Sequence, residues 1–162
     1  MSNTPTGAPE VMDQAWRKQE IKGTDYELTY AGALSFARRR YSRDLAGVDI
    51  AVSGIPFDSA VTNRPGTRFG PRAVRAASTQ LAELNAFPFG FDPFDTLAVV
   101  DYGDCALNAH DPMSVPHDIA QHARNILATD TAMLTFGGDH FVAYPLIKAH
   151  AEKHGPVALL QF

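Results

Sequence analysis

The sequence predicts an α/β fold, three layers with a mainly parallel sheet, on three observations. Short β-branched, apolar runs recur along the chain, each stopped by glycine, proline or an acidic turn; amphipathic helical stretches separate them; and the runs are apolar nearly throughout rather than alternating. A strand that is apolar on both faces needs cover on both, which is the condition of a parallel sheet between two helical layers.

Val48 to Ser53 is the first such run, halted by Gly54 and Pro56. Gly70-Pro71 opens a helix with proline in its first turn, and Val74, Ala77, Leu81 and Leu84 share one face at helical spacing. Leu97 to Val100 is a second strand, closed by the turn Asp101-Tyr102-Gly103-Asp104. Ser114 caps a helix whose apolar face carries Ile119, Ala123, Ile126 and Leu127. Thr131 to Phe136 is a third strand, broken by Gly137-Gly138. A helix then runs from about Ala143 to the stop at Gly155-Pro156, and Val157 to Leu160 starts a fourth strand.

Residues 1–47 lack a clean period and form an N-terminal arm. Ser2 to Pro9 is rich in turn formers, and Arg38-Arg39-Arg40 with Arg43 is a basic run expected on a solvated surface or a subunit contact. The 162 residues suffice for one domain, with 45% hydrophobic and 20% charged residues. A net charge of -4 gives no electrostatic case for nucleic acid or an anionic membrane. No apolar stretch is long enough to span a bilayer, no signal peptide stands at the N-terminus, and the single Cys105 suits a reducing compartment, so a cytoplasmic protein is expected.

Ligands of such sheets collect beyond the carboxyl ends of the strands. That rule selects Gly54 to Gly70, Asp101 to Asp104 and Gly137 to His140. In Phe136-Gly137-Gly138-Asp139-His140 the glycines let the backbone turn out of the strand and present His140 as a candidate metal ligand, with Asp139 positioned to orient it. A structural role, Asp139 as a helix cap, stands beside that reading. Arg64, Arg68, Arg72 and Arg75 could bind an acidic substrate or tie loops and subunits together. Asp101 and Asp104 are expected to hold loop backbone rather than metal. Cys105 has no neighbouring base and is not a candidate nucleophile. His110, His117, His122, His150 and His154 are expected to be exposed or packed, without partners at ligand spacing.

Gly54-Ile55-Pro56-Phe57-Asp58, Arg64-x-Gly66-x-Arg68-x-Gly70-Pro71-x-x-x-Arg75, Val100-Asp101-x-Gly103-Asp104 and Phe136 to His140, in that order and at strand-helix spacing, resemble the motifs of the ureohydrolase family, which includes arginases and agmatinases. The resemblance spans about Val48 to Phe162. Asn85 to Asp92, the strand that follows, and the helix around Pro145 to Ala151 are most similar to the agmatinase type.

The resemblance implies an arginase-like sheet and hydrolysis of agmatine to putrescine and urea. It implies a centre of two Mn²⁺ ions held by two histidines and four aspartates, with a small guanidino substrate and a homo-oligomer, trimer or hexamer. His140 matches the first histidine ligand; Asp139 stands behind it, and Asp58, Asn63 and Arg64 fall on the substrate-entrance loop. The other five ligands belong to motifs this sequence does not contain. Residues 48–162 are thus expected to be the N-terminal half of a catalytic domain, truncated after about the fourth strand. The piece carries no catalytic residue of its own and is expected to be inactive alone. The alternatives are the same chemistry on 4-guanidinobutanoate or 3-guanidinopropanoate, mildly favoured by the arginine loop, and a non-catalytic binding or assembly module.

Overall fold

The computed structural model describes residues 30–82 and 85–162. Six regular elements carry the fold: β1 (Ile50–Gly54), α1 (Gly70–Ser78), β2 (Val99–Asp104), α2 (Val115–Leu127), β3 (Ala132–Phe136) and α3 (Ala143–His154). The strands form one parallel sheet in the order β2-β1-β3. Burial follows the expected pattern in β1 and β2, with four of five and five of six residues buried and Ala51 and Val52 wholly withdrawn from water, but not in β3, none of whose residues is buried and whose Leu134 is exposed.

Two apolar clusters knit the layers. Leu45, Val48, Ala51, Val100, Tyr102 and Ile126 pack together, and Ile55, Cys105, Val115, Ile119 and Val142 form a second group nearer the strands' carboxyl ends. Ala123 and Leu127 meet Ala149 between α2 and α3. The apolar face expected on α2 is therefore the buried one. Ser114 occupies the N-cap position of α2 but caps nothing; its hydroxyl donates to the Asp111 carbonyl and meets Asp118 Oδ2.

Helix α1 departs from expectation. Val74 and Leu81 are exposed, as is Ala77, while the inward positions belong to Pro71, Arg75 and Ser78; Leu84 lies outside the described residues. Arg75 reaches the carboxylates of Asp101 and Asp104 on β2, and the Ser78 hydroxyl accepts from the Ala37 amide, so the buried side of this helix is largely polar.

The second strand also runs further than its apolar residues suggest. Asp101 to Asp104 do not form a turn; they continue the ladder, with Val52 opposite Asp101 and Ser53 opposite Gly103. Tyr102 is the extra residue of this bulge. Side chains alternate along a regular strand, so residues three apart point to opposite faces, and one inserted residue brings them back to the same face. Gly103 takes the left-handed φ of 81° that the bulge demands, and a Cβ there would run into the Tyr41 ring.

Residues 35–47, within the expected arm, pack against this edge. The Arg40 carbonyl accepts from the Asp101 amide and the Ser42 amide donates to the Asp101 carbonyl, each at 2.9 Å, so a short parallel bridge covers the outer side of β2. The expectation of a solvated basic run fails for Arg38 and Arg39, which are buried. Arg39 lies over the Phe94 ring at 4.1 Å and donates from Nε to the Ala37 carbonyl. Ser2 to Pro9 lies outside the described residues.

The fourth strand is not formed. Residues 157–160 make no ladder, and Val157, Leu159, Leu160 and Phe162 are exposed. An outermost strand gains hydrogen bonds from one neighbour only and depends on cover for its faces; among the described residues nothing covers this segment.

Candidate functional site

The carboxyl ends of β1, β2 and β3 lie side by side, and the three segments singled out by sequence meet there. Gly54, Asp104 and Phe136 are register partners at this edge. The Ile55 amide donates to the Phe136 carbonyl, and the Cys105 amide donates to the Gly54 carbonyl.

His140 opens a short 3-10 turn, His140 to Val142, that leads into α3. It is exposed at the rim of this edge. Asp139 behind it is buried, and its carboxylate is engaged by backbone: Oδ1 accepts from the Phe141 amide at 3.1 Å and Oδ2 from the Ala60 amide at 2.8 Å. The capping role is thus the one shown for Asp139, and it does a second task by fastening the 57–60 loop to the turn that carries His140. The glycines before it act through close approach, for neither has a positive φ. A Cβ on Gly138 would overlap the backbone of Phe57, whose carbonyl accepts from the Asp139 amide at 2.8 Å.

Asp58, placed by sequence on the entrance loop, points inward and is 2% exposed. Its Oδ2 accepts from the Gly66 and Arg68 amides at 2.6 and 3.2 Å, and Oδ1 pairs with Arg68 at 2.6 Å. The Arg68 hydrogen bond, with the two amides adding to it, outweighs desolvation and holds the carboxyl at about 2. Asp58 closes the 58–68 loop on itself. Asn63 and Arg64 sit at the loop's exposed outer part.

The most heavily committed group is one that motif reading left among alternatives. Arg75 Nε donates to Asp101 Oδ2 at 2.7 Å, and its two terminal nitrogens donate to Asp101 Oδ1 at 3.0 Å and Asp104 Oδ1 at 2.6 Å. Asp101 also accepts from the Phe36 and Gly103 amides. The bulge at Tyr102 is what lets one guanidinium reach both carboxylates. Asp101 thus holds backbone, as expected, while the Asp104 carboxylate holds the Arg75 guanidinium instead, and two of the four loop arginines, Arg68 and Arg75, are tied within the chain.

Cys105 is buried and desolvation pushes its thiol up to about 12, so it is an inert core residue. His122 is a packed histidine, buried against the edge of Tyr102, with desolvation lowering it to about 4. His150 and His154 differ from the expectation of isolated histidines: they lie one helical turn apart on α3, their ring centres separated by 6.2 Å. The i, i+4 spacing was visible in sequence once the helix was placed.

Among the described residues, no group of three or more His, Cys, Asp or Glu side chains gathers where an ion could be held. His140 alone does not fit a two-ion centre. No helix among them is long and apolar enough to cross a membrane.

Comparison with known proteins matches residues 48–162 to the arginase family model. An agmatinase of Chromobacterium violaceum is 63% identical over 151 residues, covering 93% of this chain and 47% of that protein. An agmatinase of Serratia proteamaculans is 47% identical over 112 residues, covering 68% of this chain and 37% of its own. Among solved structures, a hypothetical agmatinase from Burkholderia thailandensis superposes with a TM-score of 0.81 at 60% identity, over 89% of this chain and 45% of that one. Proclavaminate amidino hydrolase from Streptomyces clavuligerus superposes at 0.72 and 32%, over 82% and 44%. The chain spans about half the length, or less, of the relatives it matches. With the family's model matched over 48–162 and its fold reproduced in the three-stranded sheet, this chain belongs to the arginase family.

Proposed function

We propose that the full-length protein hydrolyses agmatine to putrescine and urea in the cytoplasm, as a homo-oligomer with a dinuclear manganese centre, and that this chain supplies His140 as one ligand. The observation that carries the substrate assignment is the 63% identity to an agmatinase over nearly the whole chain. The imidazole of His140 stands exposed at the carboxyl edge of the sheet, where ligands of open α/β sheets collect. Asp139 keeps it there by anchoring its turn to the Phe57 loop, and Asn63 and Arg64 form part of the entrance.

The arginine loop gives less support to a carboxylate-bearing substrate than its composition suggested. Arg75 is buried against Asp101 and Asp104, and Arg68, though half-exposed, is paired to Asp58, so two of the loop's four cations already have carboxylate partners within the chain. Alone, the 162 residues are inactive on this reading, because a single histidine cannot hold two divalent ions. Urea release by the full-length protein with added Mn²⁺ is measured on agmatine, 4-guanidinobutanoate, 3-guanidinopropanoate and arginine. Agmatine is expected to be the preferred substrate; preference for 4-guanidinobutanoate would overturn the assignment. Urea release from agmatine by the 162-residue chain alone would overturn the inactivity.

A further inference from the structure

The last turns of α3 carry a pair of imidazoles that the proposed reaction does not use. His150 Nδ1 lies 2.9 Å from the Leu146 carbonyl, a group that can only accept, so Nδ1 is the donor and in the neutral tautomer Nε2 is the nitrogen open to a ligand. A backbone carbonyl holding the other ring nitrogen is the arrangement that orients metal-binding histidines and raises their basicity. His154, one turn on, is exposed. Two imidazoles sharing an ion through nitrogens about 2.1 Å from it bring their ring centres to about 5 Å, roughly 1 Å closer than the present 6.2 Å. The neighbouring charges leave this face clear. Glu152 is paired to Arg124, and Lys153 donates to the carbonyls of Leu127 and Thr129 on the α2 side. α3 ends at His154, and a cation in a helix's last turn is favoured by the helix dipole.

We propose that His150 and His154 form a two-histidine site for a borderline transition-metal ion, Zn²⁺, Ni²⁺ or Cu²⁺, with water completing the coordination. Nitrogen ligands select these ions over Mn²⁺ and Mg²⁺, which prefer oxygen. The site is separate from His140 and does not depend on the agmatinase reading. Its ion pins the final turn of α3 before the Gly155 break.

The test is Zn²⁺ titration of the 162-residue chain at neutral pH by calorimetry, with ring resonances of the histidines followed by NMR. One ion is expected per chain, with His150 and His154 shifting and His140 unmoved. Removing one of the two ligands, in His154→Ala or His150→Ala, is expected to weaken binding at least about tenfold, since even the loss of a ligand's supporting hydrogen bond costs that much. His140→Ala is expected to bind Zn²⁺ as the parent chain does. Far-ultraviolet dichroism of each variant, matched to the parent, shows that α3 persists. Zn²⁺ binding unchanged in His154→Ala, or abolished in His140→Ala, would overturn the site, and so would absence of binding by the parent chain.

Discussion

Asp101 is withdrawn from water completely, and a carboxylate in that position is tolerated only because Arg75 and two backbone amides surround it. Arg75→Ala would leave that charge buried without a cation, and a loss of about 3–5 kcal/mol is expected, read by urea unfolding. Two further residues set the acid side of the stability curve. His122 is held neutral down to about 4, while an unfolded chain takes up that proton near 6.5. The unfolded state thus binds more protons between those values, and stability falls as pH drops through that window. Asp58, at about 2 when folded and 3.8 otherwise, adds a second fall between pH 3.8 and 2 as its carboxylate is protonated. Thermal unfolding across pH 2 to 7 checks both: His122→Leu should flatten the upper window and Asp58→Asn the lower. Asp58 did not declare its role in sequence, and for Arg75 tying loops together was only one of two readings. A motif shows that a charge is present; whether it faces a substrate or a partner 26 residues away depends on packing that spacing does not encode.

Among the elements, those with strong periodicity were legible and those with mixed chemistry were not. The buried face of α2 followed from Ile119, Ala123, Ile126 and Leu127, because an apolar stripe has one favourable place to go. The face of α1 was misread because Arg75 and Ser78 are buried through hydrogen bonds, which apolar periodicity cannot register. The extension of β2 through Asp104 was hidden for a similar reason: Asp and Gly are poor strand formers, and a bulge with its own hydrogen bonds overrode the preference. The junction of Gly138 with Phe57 is the tightest point of the candidate site. Gly138→Ala is expected to force the 57–60 loop away from the Asp139 turn, seen as faster amide exchange at Ala60 and Phe141 and, in the full-length protein, a fall in urea release. Exchange protection unchanged from the parent would show that the turn absorbs the added methyl.

For the whole molecule, the fold class and family were readable from ordered motifs, since strand ends and the helices after them recur in fixed succession. The fourth strand was not, because an apolar run becomes a strand only where a neighbour and a cover exist to receive it. The exposed Leu159, Leu160 and Phe162 are residues of that kind. The proposed role of His140 as a ligand in a manganese-dependent agmatine hydrolase can be tested directly. Bound Mn²⁺ per subunit, measured alongside urea release from agmatine, tests it in the full-length protein and its His140→Ala variant. The variant is expected to lose one of two ions and most of its urea release; unchanged metal content would show that His140 is not a ligand.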